Sequence, residues 1–166
     1  SMQGGYWWST GTLPNLDNQA VGAVLRSPAY RVKLTSRAIV SSDPSKTHTN
    51  ETSHRLGIGA AGGSASMNET DGDAWTFDFD QPVELRQILL KGLNLDADNA
   101  QVSIEGGGSF ELNRSNTTSS LDWSGSEDLR VYTFSSPVVL DAGDDVTIAA
   151  VGSDSPGNNI FSIGGV

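Results

Sequence analysis

The chain has 166 residues, of which 19 are glycine and none is cysteine, and its formal net charge is −10. This length suits one domain with its own hydrophobic core, so we treat residues 1–166 as a single domain. The first two residues, Ser1-Met2, look like a cloning remnant. The lack of cysteine excludes disulfides and Cys-ligated zinc. The acidic balance argues against nucleic acid as a partner, and no apolar run reaches the roughly 18 residues of a membrane span.

The first third of the chain combines a glycine-containing N-terminal segment, one alternating stretch and one polar stretch. Residues 1–28 include the aromatic cluster Tyr6-Trp7-Trp8 and are predicted to be irregular. Apolar and polar residues alternate from Tyr30 to Val40, which predicts a half-buried strand. Residues 41–54 are polar and predict a long surface loop, a kind of segment that often carries function.

The clearest strand in the sequence runs from Trp75 to Asp80. Its aromatic residues occupy every second position, with polar residues between them. Side chains alternate across a strand, so Trp75, Phe77 and Phe79 are predicted to enter a core. The polar residues Thr76, Asp78 and Asp80 are predicted to face solvent.

The second half of the chain predicts a series of short strands separated by turns. Glu84 to Leu93 is predicted as a strand rather than a helix, because Pro82 and Gly92 leave little room for a helix. Residues 113–126 are polar around Trp123. The remaining strands are predicted at 101–105, before the turn at 106–108, and at 129–134, 138–140, 146–150 and 160–163. Eight or more short strands predict an all-β fold, a two-sheet antiparallel β-sandwich with the connections of a jelly roll.

A short motif, Phe-x-x-Pro-Val-x-Leu, occurs twice, at residues 79–85 and 134–140. Proline has no amide hydrogen to donate, so it suits the edge or corner of a sheet. We therefore predict that a strand ends before each proline and that the chain enters a new strand after it. The two copies would then form two equivalent corners of the sandwich.

Four blocks of the sequence carry a resemblance to known modules. They are His54-Arg55-Leu56-Gly57-Ile58-Gly59, Asp71 to Leu85, Leu140-Asp141-Ala142-Gly143-Asp144-Asp145-Val146-Thr147-Ile148 and Phe161-Ser162-Ile163. Over roughly residues 54–166 the chain resembles jelly-roll carbohydrate-binding modules of polysaccharide-degrading enzymes and PEP-CTERM-type bacterial surface domains. The resemblance implies a secreted or cell-surface location, a polysaccharide partner and attachment to other domains. Its motifs are structural, so it identifies neither a sugar nor a binding residue.

Exposed aromatic residues are the first candidates for sugar binding. A sugar ring presents an apolar face that stacks on an aromatic ring, while neighbouring polar groups bind its hydroxyls. Trp8 and Trp123 lie in polar, turn-rich surroundings, as such a site requires. Each could equally close one end of the sandwich or pack beneath its own loop.

A basic stretch supplies the second group of candidates. Residues 26–55 hold six basic and two acidic residues, a net of +4, which leaves −14 for the rest of the chain. One interpretation is a solvated strand and loop. The other is a patch for sulfate or uronate, since guanidinium groups bind both through paired donors. The candidate ligand-binding residues in and around this stretch are Tyr30, Arg31, Lys33, Arg37, His54 and Arg55.

Acidic turns suggest a structural calcium ion. Asp71 and Asp73 precede the aromatic strand, and Asp96 and Asp98 precede another strand. Calcium prefers the carboxylate and carbonyl oxygens that such turns provide. The spacing does not satisfy an EF-hand loop, and aspartate is also an ordinary turn former.

The sequence as a whole favours a binding function over catalysis. Our hypothesis is a non-catalytic carbohydrate-binding module of a secreted or cell-surface polysaccharide-degrading protein, with an anionic glycan as one candidate ligand. One alternative is a structural or adhesive surface domain without a small ligand. Another is a small polysaccharide lyase that pairs Tyr30 or His54 with Arg31 or Arg55. We predict no catalytic residues.

Overall fold

The computed structural model describes residues 19–20, 24–26, 33–52, 55–63, 65–93, 98–120, 129–152 and 160–165. These residues form strands and turns arranged as two antiparallel sheets, and none of them lies in a helix. The all-β sandwich predicted from the sequence is confirmed. In the described part of the chain there is no helix that could cross a membrane.

The two sheets differ in size. In the first sheet the strand order is β1 (Gln19–Ala20), β4 (His48–Thr52), β5 (Arg55–Gly59), β14 (Ile160–Gly165), β8 (Val83–Lys91), β12 (Leu129–Leu140) and β11 (Thr118–Ser120), and β6 (Met67–Asn68) pairs with β14. In the second sheet the order is β10 (Gly108–Leu112), β9 (Asn99–Ile104), β13 (Val146–Val151), β7 (Ala74–Phe79), β3 (Lys33–Val40) and β2 (Val24–Arg26). The chain crosses between the sheets at most connections between long strands.

The core lies between the sheets and is centred on β7. Trp75 and Phe77 are fully buried and Phe79 is 2% exposed, so the inward prediction for all three is confirmed. The rings of Trp75 and Phe77 stack with centroids 4.6 Å apart, and Phe79 meets Phe77 edge-on. The buried indole Nε1 of Trp75 donates a hydrogen bond to Ser36 Oγ on β3 at 2.9 Å. Burying each of these side chains stabilises the fold by about 2–3 kcal/mol.

The outward-facing residues of β7 follow the prediction only in part. Asp80 is exposed and Thr76 is half-buried, with its hydroxyl 2.8 Å from that of Thr147 on β13. Asp78 is only 7% exposed, so its predicted solvent exposure is wrong. Alternation places it on the outer face, where the side chain of Arg37 from β3 lies beside it.

The predicted loop at 41–54 is wrong for its second half. Residues 48–52 form β4, which pairs with β5 from His48↔Gly59 to Thr52↔Arg55, and Thr49 and Asn50 are fully buried. The strand has no apolar residue to reveal it. Its threonines favour a strand because they are β-branched, but they do not produce an alternation of apolar and polar residues.

The predicted irregular segment at 1–28 contains two short strands. Gln19–Ala20 forms β1 and pairs with β4, while Val24–Arg26 forms β2 and pairs with β3. The prediction is wrong for these five residues. The rest of the segment lies outside the described residues.

The two copies of the proline motif behave differently. At the first copy β7 ends at Phe79 and β8 begins at Val83 in the other sheet, so the predicted corner is confirmed. At the second copy β12 continues through Pro137 as one strand, so the predicted second corner is wrong. Its pairing with β8 shifts register between Thr133 and Val138. A proline fits in such an irregularity because no backbone hydrogen bond is required of it there.

Glycines at two places in the fold allow the chain to turn or to approach another segment closely. The turn between β9 and β10, predicted from three consecutive glycines, has Gly106 and Gly108 at φ of 72° and 83°. Gly57 in β5 lies directly beneath another backbone segment, since a Cβ there would be 2.0 Å from the amide nitrogen of Ser66. Only glycine lets this crossing segment pack against the sheet.

Candidate functional site

Six of the residues predicted to bind a ligand or metal lie outside the described residues: Trp8, Tyr30, Arg31, His54, Asp96 and Trp123. Lys33 begins β3, where its backbone pairs with Arg26 of β2. The roles of these six residues and of Lys33 stay predictions.

Arg37 lies on the outer face of the second sheet between two carboxylates. It occupies the register shift between Ser36 and Ala38 in β3. Its Nη1 is 3.5 Å from Asp78 Oδ2, and its Nε is 3.3 Å from Asp145 Oδ1. Burial raises the pKa of Asp78, and the charges of Asp145 and Asp80 add to this rise, while Arg37 lowers it. The guanidinium therefore balances acidic groups of its own sheet.

The described basic side chains of the stretch 26–55, those of Arg37, Lys46 and Arg55, do not form one patch. Arg55 is half-buried at the start of β5 in the first sheet, whereas Arg37 belongs to the second sheet. Lys46, in the turn before β4, binds carboxylates from the turn before β7. Arg37 and Lys46 are thus both paired with acidic side chains from distant parts of the sequence.

The predicted calcium ligands Asp71 and Asp73 hold an ammonium group. Lys46 Nζ is 2.6 Å from Asp71 Oδ2 and 2.8 Å from Asp73 Oδ2. The fully buried Asp73 also accepts hydrogen bonds from Ser41 Oγ and from the amide of Asn68. Burial lowers the pKa of Lys46, but the hydrogen bonds and charges of the two carboxylates outweigh it, so that the pKa lies above 10.5. A calcium ion between these carboxylates would have to displace Lys46.

Asp98, the other described calcium candidate, is 1% exposed immediately before β9. In the described ranges no three His, Cys, Asp or Glu side chains converge as a metal-binding group. Calcium stays a prediction.

A cluster of three aromatic rings lies where the edges of the two sheets meet. We call it the aromatic seam: Phe110 on β10, and Tyr132 and Phe134 on β12. Phe110 stacks on Tyr132 with ring centroids 5.3 Å apart, and Phe134 meets both rings edge-on at 5.5 and 5.0 Å. All three rings pack against the core but are only partly buried. They therefore present aromatic surface at a fixed place.

The strand registers explain why these rings stay partly exposed. Phe110 pairs with Val102 and Tyr132 pairs with Ile88, both fully buried, so the aromatic side chains point into the sandwich. β10 is the edge strand of its sheet. β11 covers β12 only along residues 129–131. Among the described strands, none lies outside the rings to complete their burial.

Arg130 extends the seam along β12. It pairs with the buried Leu90, so alternation places it on the same side as Tyr132 and Phe134. Its Nε donates to Thr117 Oγ1 at 3.0 Å, and its Nη2 donates to the carbonyl oxygens of Arg114 and Thr117, each at 2.6 Å. These bonds tie the guanidinium to the loop between β10 and β11. No carboxylate of the described residues pairs with it.

The loop that holds Arg130 is itself ordered by side-chain hydrogen bonds. Thr117 Oγ1 donates to the carbonyl oxygen of Asn113 at 2.7 Å, and Asn116 Nδ2 donates to that of Glu111 at 2.8 Å. The backbone amide of Asn113 donates to Asn116 Oδ1. Such local bonds fix turn geometry, so the guanidinium has a rigid support.

Sequence reasoning placed the aromatic candidates elsewhere and missed this seam. Phe110 is the only aromatic residue in the otherwise polar stretch 105–111, which is unusual for a residue of the central core. Tyr132 and Phe134 alternate just before a proline that interrupts pairing. These two features could have indicated partly buried rings on each strand, but not that the three rings meet at a sheet edge.

Comparison of the chain with protein-family models, curated proteins and solved structures found no match.

Proposed function

We propose that this protein is a non-catalytic carbohydrate-binding module and that the aromatic seam is its binding site. The observation that carries the proposal is the contact of three partly exposed rings, Phe110, Tyr132 and Phe134, at the junction of two sheet edges. Sugar rings bind to aromatic rings through their apolar C–H faces. A rigid aromatic surface at the side of a sandwich provides this kind of contact.

The packing of the rings supports binding because little order has to be gained when a ligand arrives. Each ring contacts the core on one side, and its neighbours in the seam hold its orientation. Aromatic side chains have only two rotatable bonds, and here both are restricted by packing. A preformed surface keeps the entropic cost of association low.

The context of the module follows from the sequence resemblance. We propose a secreted or cell-surface location, attachment to other domains of a polysaccharide-degrading protein, and polysaccharide as the partner. The lyase alternative rests on Tyr30, Arg31 and His54 outside the described residues, together with Arg55. Ultraviolet absorbance of unsaturated products would reveal a lyase.

Affinity gel electrophoresis against a panel of neutral and anionic polysaccharides tests the proposal. We expect at least one polysaccharide to retard the wild type. Tyr132→Ala should lower the affinity for that polysaccharide, derived from the retardation, at least tenfold. Val139→Ala is the matched control, since Val139 lies on the same strand, is 68% exposed and is separate from the seam. It should bind like the wild type.

Two outcomes would overturn the proposal. No retardation across the panel would favour a structural or adhesive domain, and unchanged binding by Tyr132→Ala would place the site elsewhere. Thermal unfolding of each variant shows whether it is folded. A parallel gel with EDTA tests the calcium prediction, because loss of retardation would indicate a bound ion.

A further inference from the structure

We infer that the aromatic seam selects an acidic glycan and that Arg130 contacts the anionic group of the sugar, a carboxylate or a sulfate. This inference rests on the proposed function and names the class of ligand. Arg130 differs in its contacts from three other described cations. Arg37, Lys46 and Arg86 each pair with a carboxylate. Arg130 donates to a hydroxyl and two carbonyl oxygens, and no carboxylate of the described residues balances its charge.

The hydrogen bonds of Arg130 leave part of the guanidinium available. A guanidinium carries five N–H donors in a planar fork. The Nε hydrogen and the two on Nη2 can serve Thr117 and Arg114. Nη1 donates to none of the described residues. An oxyanion can therefore bind at Nη1 without breaking the contacts that hold the side chain in place.

The position of Arg130 relative to the rings fits a substituted sugar. Residues two apart on one side of a strand are about 7 Å apart, so Arg130 lies one step along β12 from Tyr132. A sugar ring stacked on the seam could thus direct an acidic substituent towards the guanidinium. Charge-assisted contacts of this kind are about twice as strong as neutral hydrogen bonds.

The net charge of the chain makes this placement selective. With a total of −10, the protein repels polyanions over most of its surface. Arg130 provides a local exception, because it is a held cation beside aromatic rings and no described carboxylate pairs with it. The location of this cation, rather than the overall charge, would then decide which glycans bind.

Binding to matched pairs of polysaccharides, measured by calorimetry at low salt, tests the inference. One pair is polygalacturonate and its methyl ester, and the other is dextran sulfate and dextran. We expect the wild type to bind the acidic member of at least one pair about tenfold more tightly, with the pair identifying carboxylate or sulfate. The preference should decrease as sodium chloride is added.

Variants of two arginines then test whether the preference for the acidic polysaccharide depends on Arg130. Arg130→Gln should lose the preference while keeping any binding to neutral glycan, and Arg130→Lys should retain part of it. Arg86→Gln removes the same charge from an exposed arginine paired with Glu84 and should keep the full preference. Thermal unfolding shows whether the variants fold. If Arg130→Gln does not fold, the wild-type preference and the comparison of Arg130→Lys with Arg86→Gln still decide.

The outcomes separate this inference from the proposed function. Tyr132-dependent binding without preference for an acidic member would overturn the role of Arg130 and leave the carbohydrate-binding proposal intact. If Arg130→Gln and Arg86→Gln reduced the preference for the acidic polysaccharide equally, the net charge of the protein would explain the preference. This result would also overturn the role of Arg130. Absence of binding to every polysaccharide would overturn both.

Discussion

At the scale of single residues, two cations of this acidic chain act as internal counterions. Lys46 lies between Asp71 and Asp73, and Arg37 lies between Asp78 and Asp145. All four ion pairs join residues that are distant in the sequence. The net charge of residues 26–55 could therefore not predict a patch, because the balancing carboxylates come from other strands.

Replacing Lys46 with methionine should destabilise the fold by about 3 kcal/mol, because it leaves the fully buried Asp73 without its cation. The pKa of Lys46 is raised above 10.5, so this contribution is present below pH 10.5 and is lost as the pH rises further. Urea unfolding at pH 7 measures the change. The exposed pair of Arg86 and Glu84 supplies the control, since Arg86→Gln should cost less than about 1 kcal/mol. Equal costs would contradict the prediction.

Replacing Asp78 with asparagine should increase the free energy of unfolding at pH 7. Its raised pKa means that the folded state holds the proton more tightly than the unfolded state. Its contribution to stability is therefore present below pH 3.8 and decreases as the pH rises through the folded-state pKa. Asparagine does not ionise, so the variant does not lose this stability as the pH rises. Arg37 still has a carboxylate partner in the variant, because it also pairs with Asp145.

Unfolding curves at pH 3 and pH 7 check the Asp78 prediction. The advantage of Asp78→Asn over the wild type should be larger at pH 7 than at pH 3. Asp141→Asn, at an exposed turn position, is the control and should follow the wild type more closely. If the difference in unfolding free energy between Asp78→Asn and the wild type were greater at pH 3 than at pH 7, the predicted direction of the pH dependence would be wrong.

At the scale of elements, the sequence predicted strands well wherever one face is apolar and the other polar. β7, β9 and β13 are of this kind, and each agrees closely with its prediction. The predictions failed for β4, whose buried residues Thr49 and Asn50 are polar, and for β12, which continues through Pro137. Both depend on neighbouring strands. Periodicity within a single segment contains no information about such pairing.

The crossing of one backbone segment over β5 makes Gly57 a sensitive position. Gly57→Ala should destabilise the fold by about 3 kcal/mol, because its Cβ would overlap the backbone at Ser66. Gly143→Ala is the control. Open space surrounds that position, so only the φ of 87° opposes alanine, at a cost of about 1 kcal/mol. Urea unfolding midpoints distinguish the two, and a milder effect at Gly57 would show that the crossing segment moves easily.

At the scale of the whole molecule, the sandwich could be predicted but the candidate site could not. The aromatic seam joins β10 of one sheet with β12 of the other, which lie about 20 residues apart in the chain. Phe110, Tyr132 and Phe134 meet only because both strands lie at the same side of the two sheets. Alternation within each strand predicts which way a ring points. It cannot predict which strands become edges.

The interrupted pairing of β12 also has a consequence for the protein in concentrated solution. Beyond residue 131, no described strand covers the outer side of β12, and an open strand edge can recruit the same strand of another copy into a growing fibril. Pro137 lacks the amide hydrogen that such recruitment needs, and the register shift beside it bends the edge. Pro137 and the register shift, where a corner had been predicted wrongly, would thereby keep neighbouring molecules from aggregating through β12.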